Sequence, residues 1–201
     1  MTDAGSVVGV VLAGGKGSRI GTDKALIDLG GQSLLGRVLA RVAPQVMAVA
    51  VSANGDPRRF AGSGLPVLAD TVSGQPGPLA GVLAGMAWAR TLDRNKLLLS
   101  VPVDAPFLPW DLVARLASAR ARSGKAIACA ASRGRRHPVV ALWPVTLATR
   151  LEADLRAGRC KVGEWADSVG CVEVDFAGGP PDPFLNINTP ADLDAARAQL
   201  S

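Results

Sequence analysis

Lys16, Arg19 and Lys24 stand among four glycines, Gly14, Gly15, Gly17 and Gly21, in a stretch without proline. Glycine reaches positive φ at little cost and lets backbone approach a ligand closely. Successive N–H groups in such a turn can converge on an anion, and cations beside them suit a polyphosphate. Two common phosphate loops do not fit. A GxGxxG pattern begun at Gly15 and Gly17 requires glycine where Ile20 stands, and a Walker loop requires Ser or Thr where Gly17 follows Lys16. Further on, three polar residues each follow an apolar run: Asn54, Asp70 and Asp104. Asp104 is a single carboxylate bracketed by Pro102 and Pro106. Beside a polyphosphate, a carboxylate is what Mg²⁺ needs, because this ion takes one or two carboxylates and completes its shell with phosphates and waters. Taken singly, a glycine-rich stretch is also a surface turn and an Asp is also a turn or cap residue. Their common placement decides between the two.

That placement comes from the elements. Residues 7–12 form a continuous, mostly β-branched apolar run, the pattern of a strand buried on both faces. Comparable runs at 46–51, 67–69, 96–101, 126–131, 139–143 and 171–174 read as strands. Helices are expected at 33–42 (capped by Ser33 and ended by Pro44), 79–90, 110–122, 146–156, 161–166 and from Pro190 onward. Strands and helices alternate, which predicts an α/β fold: one Rossmann-like three-layer domain over 1–201 with a mostly parallel sheet. Parallel strands bring the glycine loop, Asn54, Asp70 and Asp104 to one sheet edge, where open α/β sheets bind ligands. Asn186 and Asn188 flank Ile187, so an extended backbone points both to one face.

The segment LAGGKGSRIGTDKAL resembles the LAGGxxxRMGxxDK signature of nucleotidyltransferases, most closely the molybdenum cofactor guanylyltransferases. Ile20 replaces the usual methionine, and Thr22 stands where a second glycine is common. PGPLAG (76–81), VPVDAPFLP (101–109), RRHPVVALW (135–143) and FLNINTPADL (184–193) look like successive segments of that family, so the likeness spans nearly the whole chain. It implies a nucleotidyltransferase-type fold and transfer of GMP from GTP to the phosphate of molybdopterin, with release of pyrophosphate. It implies GTP contacts from Leu12, Ala13, Gly14, Gly15, Lys24, Asn54, Asp70 and Asp104, with Asp104 also holding Mg²⁺. Arg19, Lys24 and Asp104 are then the catalytic set. A pterin side is implied at Arg136, His137, Lys161, Asn186 and Asn188, with proteins of molybdenum cofactor insertion or delivery as partners. Two alternatives stay open. One is a sibling enzyme using CTP or another nucleotide on a pterin, sugar or polyol phosphate. The other is a nucleotide-binding cofactor carrier without catalysis, which fold alone never excludes.

The remaining composition bounds this reading. The chain has 201 residues, 48% hydrophobic and 4% aromatic with no tyrosine, so its core must be built of Val, Leu and Ala. A net charge of +5 fits an anionic small ligand; the Lys and Arg residues form no dense run interleaved with aromatics, which argues against nucleic acid. Cys129, Cys160 and Cys171 match no zinc spacing and suit free thiols in a reducing cytoplasm. MTDAGS carries acid rather than base and does not read as a signal peptide, and no apolar run reaches membrane-spanning length. One histidine, with no Ser/His/Asp grouping or Cys/His pair in the sequence, argues against nucleophilic enzyme catalysis. A phosphate monoester needs little help as nucleophile, since its second pKa is near ~6. The obstacle is anion meeting anion: two unit charges at 4 Å interact by roughly 4 kcal/mol at an effective dielectric of 20.

Overall fold

The computed structural model describes residues 7–14, 23–72, 77–93, 95–176 and 181–200. Among these, seven strands form one sheet: β1 (Val7–Leu12), β2 (Val49–Ser52), β3 (Val67–Leu68), β4 (Leu97–Pro102), β5 (Ile127–Ser132), β6 (Arg135–Pro144) and β7 (Cys171–Asp175). Their spatial order is β3-β2-β1-β4-β6-β5-β7. β1 lies parallel to β2 and β4, β2 to β3, and β5 to β7. β6 runs antiparallel to both of its neighbours, β4 and β5. The expected α/β class with a mostly parallel sheet is what the chain adopts.

Among the described residues there are six α-helices: α1 (Leu34–Val42), α2 (Pro78–Leu92), α3 (Leu112–Ser123), α4 (Ala148–Arg156), α5 (Val162–Val169) and α6 (Pro190–Ala198). Leu35, Val38, Leu112 and Leu116 of α1 and α3 pack on one face, against Val11, Val51 and Leu99. Val82, Met86, Leu151 and Trp165 of α2, α4 and α5 pack on the other, against Val8, Val10 and Leu98. The sheet is therefore buried on both sides, which is why its central strands read as unbroken apolar runs rather than alternating ones. α2 approaches especially closely. A Cβ on Gly81 would lie 2.6 Å from Ser52 Oγ and 2.8 Å from Leu12 Cδ2, so only glycine fits there unaided.

Local sequence signals explain most boundaries. Ser33 caps α1 by accepting from the Gly36 amide at 3.1 Å, and Pro44 sits in a 3-10 turn, Ala43–Gln45, that follows the helix. Thr189 and Asp192 form a reciprocal capping box at the start of α6, with Pro190 in the first turn. Residues 132–138, between the runs expected as strands at 126–131 and 139–143, are themselves mostly strand. Ser132 pairs with Arg135, so the turn shrinks to Arg133 and Gly134, with φ 49° and 71°. Positive φ at both central residues matches the twist of the flanking strands, the usual solution for a two-residue hairpin. The register of β5 on β6 then jumps from Cys129↔Ala141 to Ala130↔His137. Pro138, which has no N–H to give a ladder, falls within that bulge.

Candidate active site

The parallel strands place the ends of β1, β2, β3 and β4 at one edge of the sheet. Because β6 is reversed, its beginning rather than its end reaches that edge. A cavity of about 950 Å³ opens there. It is lined by Leu12 at the end of β1 with Ala13 and Gly14 just beyond it, by Asn54 and Asp70 beyond β2 and β3, and by Asp104 beyond β4. Arg136 and His137 of β6 and the asparagines Asn186 and Asn188 line it as well. Residues expected to serve the nucleotide and the pterin thus share one space. Gly15 and Arg19 lie outside the described residues. Lys161 does not line the cavity; it is exposed and pairs with Glu164 at 2.7 Å, three residues along in sequence.

Backbone and side-chain hydrogen bonds position the carboxylates and amides. After β4, the Ala105 amide donates to the Pro102 carbonyl at 3.4 Å, a tight turn that presents Asp104. The Asp104 carbonyl accepts from the Ile187 amide at 2.9 Å, and Ile187 is fully buried beside Leu29, Leu34 and Leu193. With Ile187 turned inward, Asn186 and Asn188 reach the cavity, as their alternation predicts, although the segment is not a strand. Asn54 and Asp70 lock each other. Asn54 Nδ2 donates to Asp70 Oδ2 at 2.7 Å, and the Asp70 amide donates to Asn54 Oδ1 at 3.0 Å. This reciprocal pair fixes which end of the Asn54 amide is donor.

Lys24 is the central cation. It begins a 3-10 turn, Lys24–Leu26, that Asp23 caps by accepting from the Ala25 amide at 3.2 Å. Its Nζ lies 2.7 Å from Asp104 Oδ2 and 2.7 Å from Asn188 Oδ1. The Lys24 and Asp104 side chains are each 19% exposed, shielded enough for the pair to be stronger than one on open surface. Asp104 Oδ1 is buried and has no hydrogen-bond partner among the described residues. An unsatisfied carboxylate oxygen on a residue that lines the cavity fits a hard divalent cation. No cluster of three or more His, Cys, Asp or Glu that could hold a metal occurs among the described residues. A single carboxylate suits a cation that takes the rest of its shell from phosphate oxygens and water.

Arg136 lines the cavity, yet its guanidinium is largely engaged elsewhere. It donates to Asp167 Oδ1 at 2.7 Å and to Cys129 Sγ at 3.8 Å, with Glu173 3.7 Å from Nε. Burial opposes its charge, but these partners outweigh burial and hold it protonated. His137 on the opposite side of the strand contacts Ser132, whose Oγ lies 2.9 Å from Nε2 and donates to Asp182 Oδ1 at 2.9 Å. The structure thus brings together the Ser, His and Asp that the sequence keeps apart. Their order is not that of a nucleophilic triad: the carboxylate meets the serine, and Ser132 is 1% exposed.

Sequence reasoning passed over three contributors. Arg59 reaches Asp23 Oδ2 at 2.7 Å and the Asn54 carbonyl at 2.9 Å, so it ties the Lys24 turn to the Asn54 loop. Ser132 and Asp182 lie 50 residues apart and carry no motif signal. An isolated Asp before a family-like segment was the only available hint, and it names no partner.

A family model described as a MobA-like NTP transferase domain matches residues 9–168. The chain belongs to the MobA-like NTP transferase family. Relatives in it include a molybdenum cofactor guanylyltransferase of Rhodopseudomonas palustris (strain BisB5), 50% identical over 98% of this chain and 95% of its own length. Another protein of that name, from Acidiphilium cryptum (strain JF-5), is 53% identical over 94% and 93%. Among solved structures, the molybdopterin-guanine dinucleotide biosynthesis protein A of Archaeoglobus fulgidus superposes with a TM-score of 0.74 at 23% identity, covering 96% of this chain and 98% of that one. At that identity the likeness is one of fold. For a MobA-like transferase the cavity at the strand ends is the natural candidate site.

Proposed function

We propose that this chain transfers GMP from GTP to the phosphate of molybdopterin and releases pyrophosphate. The observation that carries the reading is the cavity itself, where Lys24 joins Asp104 to Asn188. At about 950 Å³ it lies at the upper end of the ~300–1,000 Å³ usual for ligand sites, room for two substrates side by side. The names of relatives at 50% and 53% identity supply the substrates. On this reading one domain carries the whole reaction, in the cytoplasm; among the described residues no helix is long and apolar enough to cross a membrane.

Leu12, Ala13 and Gly14, with the Asn54–Asp70 pair, would hold the nucleoside end of GTP by backbone and amide groups. Lys24 would meet the phosphates, exchanging one of its present acceptors for a phosphate oxygen. Asp104 would hold Mg²⁺ through its free Oδ1, and the ion when bound offsets phosphate charge and stabilises the leaving pyrophosphate. Asn186, Asn188 and His137 would orient the acceptor so that its phosphate meets the α-phosphate in line. No general base is required, since the acceptor phosphate is mostly dianionic at neutral pH. Positioning and electrostatics supply the catalysis.

The test is to incubate the protein with Mg²⁺, molybdopterin and each of the four nucleoside triphosphates, and to assay pyrophosphate. Pyrophosphate from GTP alone supports the reading. Release from CTP alone would assign the sibling activity, and release from none would leave a nucleotide-binding carrier.

A further inference from the structure

We infer that Ser132 and Asp182 are positioning residues that fix His137 with its Nε2–H toward Ser132 and its Nδ1 offered to the acceptor's phosphate in the cavity. This deepens the proposed function and rests on it for the identity of the ligand. The available protons fix the tautomer. Ser132 has one hydroxyl proton, and Asp182 Oδ1, 2.9 Å away, can only accept it when ionised. The Ser132 oxygen is then an acceptor toward His137, so Nε2 at 2.9 Å must carry a hydrogen. Nδ1 is left without a hydrogen-bond partner among the described residues, and His137 lines the cavity. A neutral ring offers a lone pair at Nδ1; a protonated ring offers an N–H to a phosphate oxygen, a charge-assisted bond.

The ring is also held mechanically. Its centroid lies 4.8 Å from that of Phe184, and Phe184 meets Phe176 edge-on at 5.5 Å. The Phe184 amide donates to the same Asp182 Oδ1 at 2.9 Å. Asp182 thereby anchors the beginning of the segment whose far end, Asn188, reaches Lys24. One short stretch of chain orients the imidazole and both asparagines.

The charges around the ring set its response to pH. Burial pushes His137 below the ordinary imidazole value; Asp182 pulls upward and Arg135, on the same strand, adds to the lowering. Arg133, in the hairpin, lies 3.7 Å from Asp182 Oδ2 and tempers that carboxylate, while Arg136 is occupied by Asp167 and Glu173. Among the described residues, the polar and charged groups that face the ring are the Ser132 hydroxyl from β5 and Asp182 from the 181–188 loop, with Phe184 against its face. The free protein therefore keeps the ring neutral at neutral pH, and an arriving phosphate dianion favours the imidazolium, whose proton comes from solvent. Binding of the acceptor takes up a proton.

His137 is the chain's one histidine, so its ring nitrogens can be followed by ¹⁵N NMR without assignment. Wild type should show the Nε2–H tautomer, and Ser132→Ala should give a mixture of both tautomers. Asp182→Asn keeps an acceptor for Ser132 and removes the charge. It should lower the imidazole midpoint by about half to one pH unit and reduce kcat/KM for molybdopterin ~5-fold at neutral pH, an effect recovered at lower pH, with KM for GTP unchanged. Molybdopterin should raise the midpoint in wild type, and Ser132→Ala should abolish that rise. An Nδ1–H tautomer in wild type, a tautomer unaffected by Ser132→Ala, or equal losses toward GTP and molybdopterin would overturn the assignment. The tautomer is read without turnover. A wild type that releases no pyrophosphate sinks the proposed function alone, whereas turnover with the wrong tautomer sinks only the inference.

Discussion

Lys24 Nζ donates to Asn188 Oδ1 at 2.7 Å across 164 residues of sequence. The contact joins the segment after β1 to the segment before α6, and Asp104 holds the same ammonium at 2.7 Å. On the proposed reading it couples the two substrates: a phosphate that takes one of Lys24's acceptors also releases Asn188 toward the other ligand.

Asn188→Ala should therefore raise KM for both substrates while leaving the fold intact. Asn186→Ala, whose side chain makes no such contact with Lys24, should affect the acceptor alone. Titration of each variant with a non-hydrolysable GTP analogue and with molybdopterin checks this. Equal behaviour of the two variants would show that the Lys24–Asn188 contact does not couple the sites.

Asp104→Asn should abolish turnover with little change in melting temperature. The amide keeps an oxygen for Lys24 but loses the charge that suits a divalent cation. A rate loss of roughly 10²-fold or more is expected, the scale of removing a key electrostatic group. The structural cost should stay within about 1 kcal/mol, since Lys24 retains Asn188. Single-turnover rates and thermal unfolding measure the two parts.

Lys24→Ala and Arg19→Ala should slow GTP use without changing base preference, because phosphates are common to every nucleotide. The GTP/CTP ratio of kcat/KM is the measurement, and a large change in it would mean that the residue reads the base.

Cys171 should react as a thiolate near neutral pH. Its sulfur lies 2.7 Å from that of Cys129, and with the proton held on Cys129 the Cys171 thiol falls to about 7; burial opposes this, and Arg136 assists it. In a Cys160→Ser background, which removes the exposed thiol, alkylation of Cys171 should rise through a midpoint near 7. Reactivity is low below that pH and full above it, because only the thiolate attacks. Arg136→Ala should move the midpoint upward. Mass spectrometry of timed samples follows both.

Gly81→Ala should cost about 1–3 kcal/mol, the usual range for overpacking, and raise KM for GTP. The added methyl would meet Ser52 and Leu12, both of which line the cavity. Chemical denaturation and nucleotide titration report the two effects.

Much of this protein could be read from local pattern. Apolar runs such as 7–12 and 97–101 mark strands buried on both faces; Ser33, Thr189 and Pro190 mark helix starts, because caps and periods are properties of neighbouring residues. Asp104 was legible for a similar reason, as a carboxylate delivered by a buried strand to the edge where parallel sheets bind ligands. Only the tertiary structure reversed β6, tightened its turn to Arg133 and Gly134, and so carried His137 rather than Trp143 to the site. It alone set Lys24 on Asn188 and Asp182 on Ser132, and it took Lys161 out of the cavity to pair with Glu164. Those contacts depend on strand direction and on register over tens of residues. A hydrophobic period of two is the same whichever way a strand runs, so it carries no record of what lies across from it.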